Sequence, residues 1–181
     1  MRRLFLALSA LGLAALLAQL GPASAQSPAT SAGLEAPIGK VIAIEGTATI
    51  EHTATVVRQV SLPRGAVRPA VGDAVYRGDV VQTGADSKIS LAFSDGTAFN
   101  IASNARMELN EFVYNPNGKN NSSLFSLAKG TFTFVAGKVA KTGNMKIDTP
   151  AATMGIRGTT PHVVVFEDGT VKFSTLVEEK R

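Results

Sequence analysis

The chain has no cysteine and no tryptophan in its 181 residues. Without thiols there is no disulfide to staple the fold and no thiolate chemistry, so stability must come from burial and hydrogen bonding. Charge is scarce as well, at 18% of residues, and the net charge of +4 falls to +2 once Arg2 and Arg3 are set aside. A nucleic-acid surface needs Lys and Arg gathered in a patch with aromatic rings that stack on bases. No such cluster is present and there is no tryptophan, which argues against nucleic acid as a partner. The two histidines, His52 and His162, stand outside any metal-ligand spacing, and there is no EF-hand loop, so no metal is expected. A Gly-x-Ser-x-Gly elbow, a phosphate-binding loop and a dinucleotide glycine fingerprint are all missing, and no cofactor is expected.

Only one long apolar run occurs, over residues 4–20. Arg2 and Arg3 precede it, Gly21-Pro22 interrupts it, and Ala23-Ser24-Ala25 supplies a small-x-small site. This is the layout of a secretory signal peptide over residues 1–25, cleaved after Ala25. An uncleaved anchor is the alternative, because the run approaches the roughly 17–25 residues that span a bilayer. The arginine pair weakly resembles a twin-arginine signal, although the apolar run fits the general secretory route better. No membrane span is expected after cleavage, and the rest of the chain is expected in the periplasm or at the cell surface. Residues 26–37, QSPATSAGLEAP, are small, polar and proline-punctuated, the composition of a flexible linker. Residues 178–181 form a charged tail.

Beyond residue 37 the pattern has period two. In KISLAF, Ile89, Leu91 and Phe93 alternate with Lys88, Ser90 and Ala92; after Asp95-Gly96 the alternation resumes at Thr97, Phe99 and Ile101. An Asp-Gly pair between alternating runs predicts a hairpin, since Gly reaches the positive φ that the turn demands. Asp168-Gly169 repeats the device, so FSDGT and FEDGT echo each other. Further strand-like runs are KVIAIEG, TATIEH, DVVQTG, LFSLAKG, GTFTFVAG and NMKIDT. Phe132 and Phe134 fall on one face; with Phe125 they are expected in the core, or alternatively lining a groove. No stretch beyond residue 37 sustains a helical stripe with cap and stop. Many short strands with Gly-rich turns predict an all-β, single-domain fold over residues 38–177. HTATVVRQVSLPRGAVRPA and NPNGKNNSS read as surface excursions.

Five motifs then occur in order: GKVIAIEG, VGDAVYRGDVVQTG, SKISLAFSDGTAFNIASNARMEL, LAKGTFTFVAG and IDTPAATMGIRGT. Together, over roughly residues 38–165, they resemble the FecR-type envelope domain of bacteria. The resemblance implies a solenoid-like or rolled sheet whose glycines mark corners, with a β-sandwich as the alternative. The regulator that names this family resembles a membrane-spanning transducer with a cytoplasmic anti-sigma segment and a periplasmic part that reads an outer-membrane iron–siderophore receptor. This sequence opens instead on the signal-peptide pattern. It is therefore expected to act as a non-enzymatic binding, scaffolding or sensory module of the envelope, or to serve a separate membrane protein of a sigma-factor and receptor pathway.

Within IDTPAATMGIRGTTPH, Arg157 sits between Gly155 and Gly158, with Thr153, Thr159 and Thr160 nearby. A guanidinium there can clamp an anion, or it can lock a late turn by pairing with Asp79 or Asp95. The second, structural reading is preferred for Asp79, Asp95, Gly155, Arg157, Gly158 and Thr159. Asp73 and Asp79 could form the carboxylate pair of an envelope polysaccharide hydrolase, but Gly-Asp in a β-rich chain more commonly makes a turn. Arg58, Arg64 and Arg68 are candidates for steering an anionic partner, either an envelope protein or a polysaccharide.

Overall fold

The computed structural model describes residues 36–53, 65–158 and 160–175. The expected signal peptide, residues 26–35 of the linker and the tail at 178–181 lie outside them. The described residues form β1 (Gly39–Glu45), β2 (Ala48–Glu51), β3 (Ala66–Val67), β4 (Ala74–Val75), β5 (Val80–Thr83), β6 (Lys88–Phe93), β7 (Ala98–Ile101), β8 (Arg106–Val113), β9 (Ser122–Val135), α1 (Lys138–Lys141), β10 (Met145–Asp148), β11 (Thr153–Ile156), β12 (Pro161–Val165) and β13 (Val171–Thr175). The all-β expectation holds, and α1 is a single turn that the sequence reading missed.

Local pattern dictates most of these strands. In β6, Ile89, Leu91 and Phe93 are buried while Lys88 is exposed, so the period-two alternation becomes an inner and an outer face. The turn to β7 forms at Asp95-Gly96: Gly96 takes φ 88°. The Phe93 N–H donates to the Thr97 carbonyl at 2.8 Å, and the Gly96 N–H to the Phe93 carbonyl at 3.0 Å. Asp168-Gly169 joins β12 to β13 in the same way.

All thirteen strands belong to one sheet, curled about β9. The amino-terminal part of β9 pairs with β8 and, in parallel, with β10. Its carboxy-terminal part pairs antiparallel with β7 and β12. One half of the sheet therefore runs β3-β2-β5-β8-β9-β10-β11 and the other β4-β1-β6-β7-β9-β12-β13. The sequence reading divides β9 into LFSLAKG and GTFTFVAG; the structure joins them through a bend. Inward-facing residues switch from odd numbers (Ser123, Phe125, Leu127) to even ones (Phe132, Phe134) across it. Gly130, at φ 108°, makes the switch possible.

Folding at this bend lays the two inner faces together. Phe93 of one half stacks on Phe112 of the other at 5.6 Å, and Phe125 meets Phe93 at 5.0 Å and Phe99 at 5.1 Å. Phe99 in turn stacks on Phe134 at 4.4 Å. Each such ring removed from water contributes about 1.5–3 kcal/mol. Phe125, Phe132 and Phe134 are fully buried, which makes them core residues.

Among the described residues the chain passes between halves at seven connections besides the bend of β9. Gly46, Gly72, Gly78, Gly143 and Gly158 adopt left-handed backbone in five of them and Asp86 and Asn104 in the other two, so glycines mark most of the corners, as the resemblance implied, and non-glycine residues mark two. The polar excursion NPNGKNNSS is shorter than the sequence suggests, because Ser122 and Ser123 already belong to β9. Asn121 closes it, accepting from the Asn115 N–H at 2.7 Å and donating to the Asn115 carbonyl at 3.1 Å.

Candidate functional site

A sheet that does not close leaves edges, and an open edge offers unpaired backbone N–H and C=O groups to another chain. On one side of β9 the edges among the described residues are β3 and β4, of two residues each. On the other side the hairpins β10–β11 and β12–β13 end in β11 and β13, of four and five residues, each bonded on one side only among the described residues. The ladder explains an exposed aromatic on β13. Phe173 lies opposite Val163, which lies opposite Phe132. Those two neighbours are fully buried, yet Phe173 is 43% exposed. The inner face of this half thus runs one strand further than the other half covers. At the hairpin tip Phe166 is 41% exposed, with Lys172 Nζ 5.5 Å from its ring centroid.

Arg157 occupies the passage from β11 to β12. Gly158 provides the left-handed turn at φ 64°, and the Arg157 side chain is exposed. The carboxylates considered as its partners have other work. Asp95 is buried and accepts from the Thr97 N–H at 2.9 Å, the Thr97 hydroxyl at 2.9 Å and the Val139 N–H at 3.2 Å. It thereby fixes the β6–β7 turn to the start of α1. Asp79, also buried, accepts from the Tyr76 N–H at 2.7 Å and lies 2.8 Å from His52 Nδ1. Arg157 has no hydrogen bond or ion pair among the described residues. Thr159, Arg58 and Arg64 lie outside the described residues; Arg68 is exposed just after β3.

Asp73 is exposed and accepts from the Ala70 N–H at 2.7 Å. Like Asp79, it is committed to a turn. Two surface clefts of about 310 and 320 Å³ are lined by groups such as Ser90, Asn100 and Thr133 in one and Arg77, Phe112 and Tyr114 in the other; neither carboxylate lines them. His162 Nδ1 meets the Thr133 hydroxyl at 2.8 Å. No group of three potential metal ligands occurs among the described residues. No described helix is long and apolar enough to cross a membrane.

Asp168 repeats the Asp95 turn in solvent. The Thr170 N–H donates to its carboxylate at 2.8 Å, and this bond holds the pKa below the ordinary aspartate value. A depressed pKa means that the turn gains from this contact above the unfolded-state value and loses it as pH falls through the folded one. An acid titration followed at the Thr170 amide should show its midpoint below that of an unstructured aspartate; a midpoint at or above it would contradict the contact.

Sequence reasoning overlooked Phe173 and Lys146. Both sit in runs of visible alternation, VKF and MKI, but alternation assigns faces without saying which strands are edges.

The model of the family described as FecR protein matches residues 79–177, more than half of the chain. No curated protein and no solved structure matches it.

Proposed function

Because this chain belongs to the FecR protein family, whose members are envelope-associated regulatory and signalling proteins, we propose that it is a non-enzymatic extracytoplasmic module that binds an envelope protein partner through its open sheet edges. The observation that carries this reading is the pair of edge strands β11 and β13, each bonded on one side only among the described residues, with Phe173 offering a core-facing ring to solvent. An extended partner segment laid along such an edge gains backbone hydrogen bonds from the strand and specificity from alternate side-chain contacts. The export pattern of residues 1–25 supports a place outside the cytoplasm. The turn-bound state of Asp73 and Asp79 supports a binding role over hydrolysis of polysaccharide.

The β13 ladder says which groups are available. The Phe166 N–H donates to the Thr170 carbonyl at 2.9 Å, so in antiparallel alternation Lys172 and Ser174 bond to β12. Val171 and Phe173 then direct their N–H and C=O groups outward. Val171→Pro removes an outward N–H and leaves the ladder intact, as proline on an edge strand does; Phe173→Asp removes the exposed ring. The full chain, immobilised and exposed to envelope extract of its own organism, should retain a discrete protein partner. Each variant is expected to lower retention at least tenfold without a change in melting temperature above a few degrees. Undiminished retention by both variants would exclude β13 as the binding edge.

A further inference from the structure

The edge β11 carries more information about its partner than β13 does. The Thr149 N–H donates to the Ala152 carbonyl at 3.1 Å, so the bonded pairs of the β10–β11 hairpin fall on Met154 and Ile156. Thr153 and Gly155 thereby turn their N–H and C=O groups to the open side. Met154 and Ile156 pack toward the core, which leaves Thr153 and Gly155 on the outer face. Lys146 stands directly opposite Gly155 and is exposed. Arg157 continues the outer-face alternation two residues beyond Gly155 and is also exposed.

Gly155 has no atom within 4 Å of where a Cβ would stand. A bare backbone step thus lies between two cations, one across the hairpin and one along the chain. Neither Lys146 nor Arg157 has a side-chain partner among the described residues. On the outer face of this hairpin the one carboxylate, Asp148, accepts from the Thr153 hydroxyl, so two cations stand there against one anion.

Resting on the edge-binding reading above, we infer that β11 receives an extended peptide segment bearing an acidic side chain opposite Gly155. Directly opposed residues on neighbouring strands hold their Cβ atoms about 4.5–5.5 Å apart, so a Glu at that register lies over the empty glycine. From there its carboxylate reaches the Arg157 guanidinium, whose planar fork matches two oxygens, and the Lys146 ammonium. The outward N–H and C=O groups of one strand repeat at the spacing of a peptide backbone. A polyanionic glycan offers no such repeat, which is why the geometry selects peptide.

The test uses the full chain, labelled for NMR, with a nine-residue peptide alternating Val and Glu and a counterpart alternating Val and Gln. The Glu peptide should slow amide exchange at Thr153 and Gly155. Its affinity should fall at least tenfold in Arg157→Gln and in Gly155→Thr, which fills the notch where nothing obstructs a side chain. Equal binding of the two peptides at β11, unchanged by Arg157→Gln, would overturn the acidic preference and leave the edge reading standing. Protection at no amide of β11 or β13 by either peptide would overturn the edge reading and this inference with it. Binding of polygalacturonate that depends on Arg157 and leaves Thr153 and Gly155 unprotected would replace the peptide with a polysaccharide.

Discussion

Gly130→Ala is expected to destabilise the domain by on the order of 4 kcal/mol, against a total stability for such domains of about 5–15 kcal/mol. Two independent costs combine. The residue adopts φ 108°, which an L side chain rarely tolerates. An added Cβ would also stand 2.3 Å from the Ala105 Cβ and 2.5 Å from its Cα, and those are not ends of a flexible side chain that could swing away. The bend of β9 would have to open, and with it the contact between the two inner faces. Urea unfolding of Gly130→Ala measures the loss directly. Adding Ala105→Gly removes the Cβ–Cβ clash but keeps the backbone strain and the 2.5 Å approach to the residue 105 Cα, so the double variant should recover only a small part of the stability. Gly155→Ala serves as the control, because its surroundings are open; it should lie within about 0.5 kcal/mol of the parent. A Gly130→Ala protein as stable as that control would mean that β9 does not bend there.

Asp95→Ala should cost about 3 kcal/mol, because it strands buried donors that have no water to turn to. The Thr97 N–H, the Thr97 hydroxyl and the Val139 N–H all converge on this carboxylate. The Thr97 oxygen also accepts from the Gly137 N–H at 3.0 Å, so the loss runs along a chain of bonds from α1 to the hairpin. Asp95→Asn keeps the shape and still fails in part, since its amide group places a donor where Thr97 and Val139 already donate. The control is again internal. Asp168→Ala removes the same turn carboxylate from the exposed FEDGT copy and should shift the melting temperature far less. If the two alanine variants lose equal stability, the burial of Asp95 is not what gives it weight.

This pair shows where the sequence was readable and where it was not. FSDGT and FEDGT announced two hairpins, and both formed, because a type of turn is decided by a few adjacent residues. Nothing local distinguished the two aspartates. Their difference comes from Gly137 and Val139, more than forty residues downstream of Asp95 and brought to it by the curl of the sheet. Arg157 is a similar case. The glycine beside it was legible as a corner, and Gly158 is one. The partners considered for its side chain were Asp79 and Asp95, and the tertiary structure spends those on His52, Tyr76, Thr97 and Val139.

The sequence by itself determined most of the strands, their inward and outward faces and most of the corners, since period-two alternation and positive-φ turns are properties of neighbouring residues. It did not announce β4, β8 or β11, and it read β3 as part of a surface excursion. It also carried the family likeness in the order of its motifs. The tertiary structure decided that β9 is one bent strand, that the two halves share a core, and that β11 and β13 are edges. Strand pairing joins residues far apart in the chain, and whether a strand has one neighbour or two is a property of the whole sheet. That is why the alternation around Lys146 and Phe173 was visible from the start, while the open edge on which their proposed roles rest appeared only once the sheet was assembled.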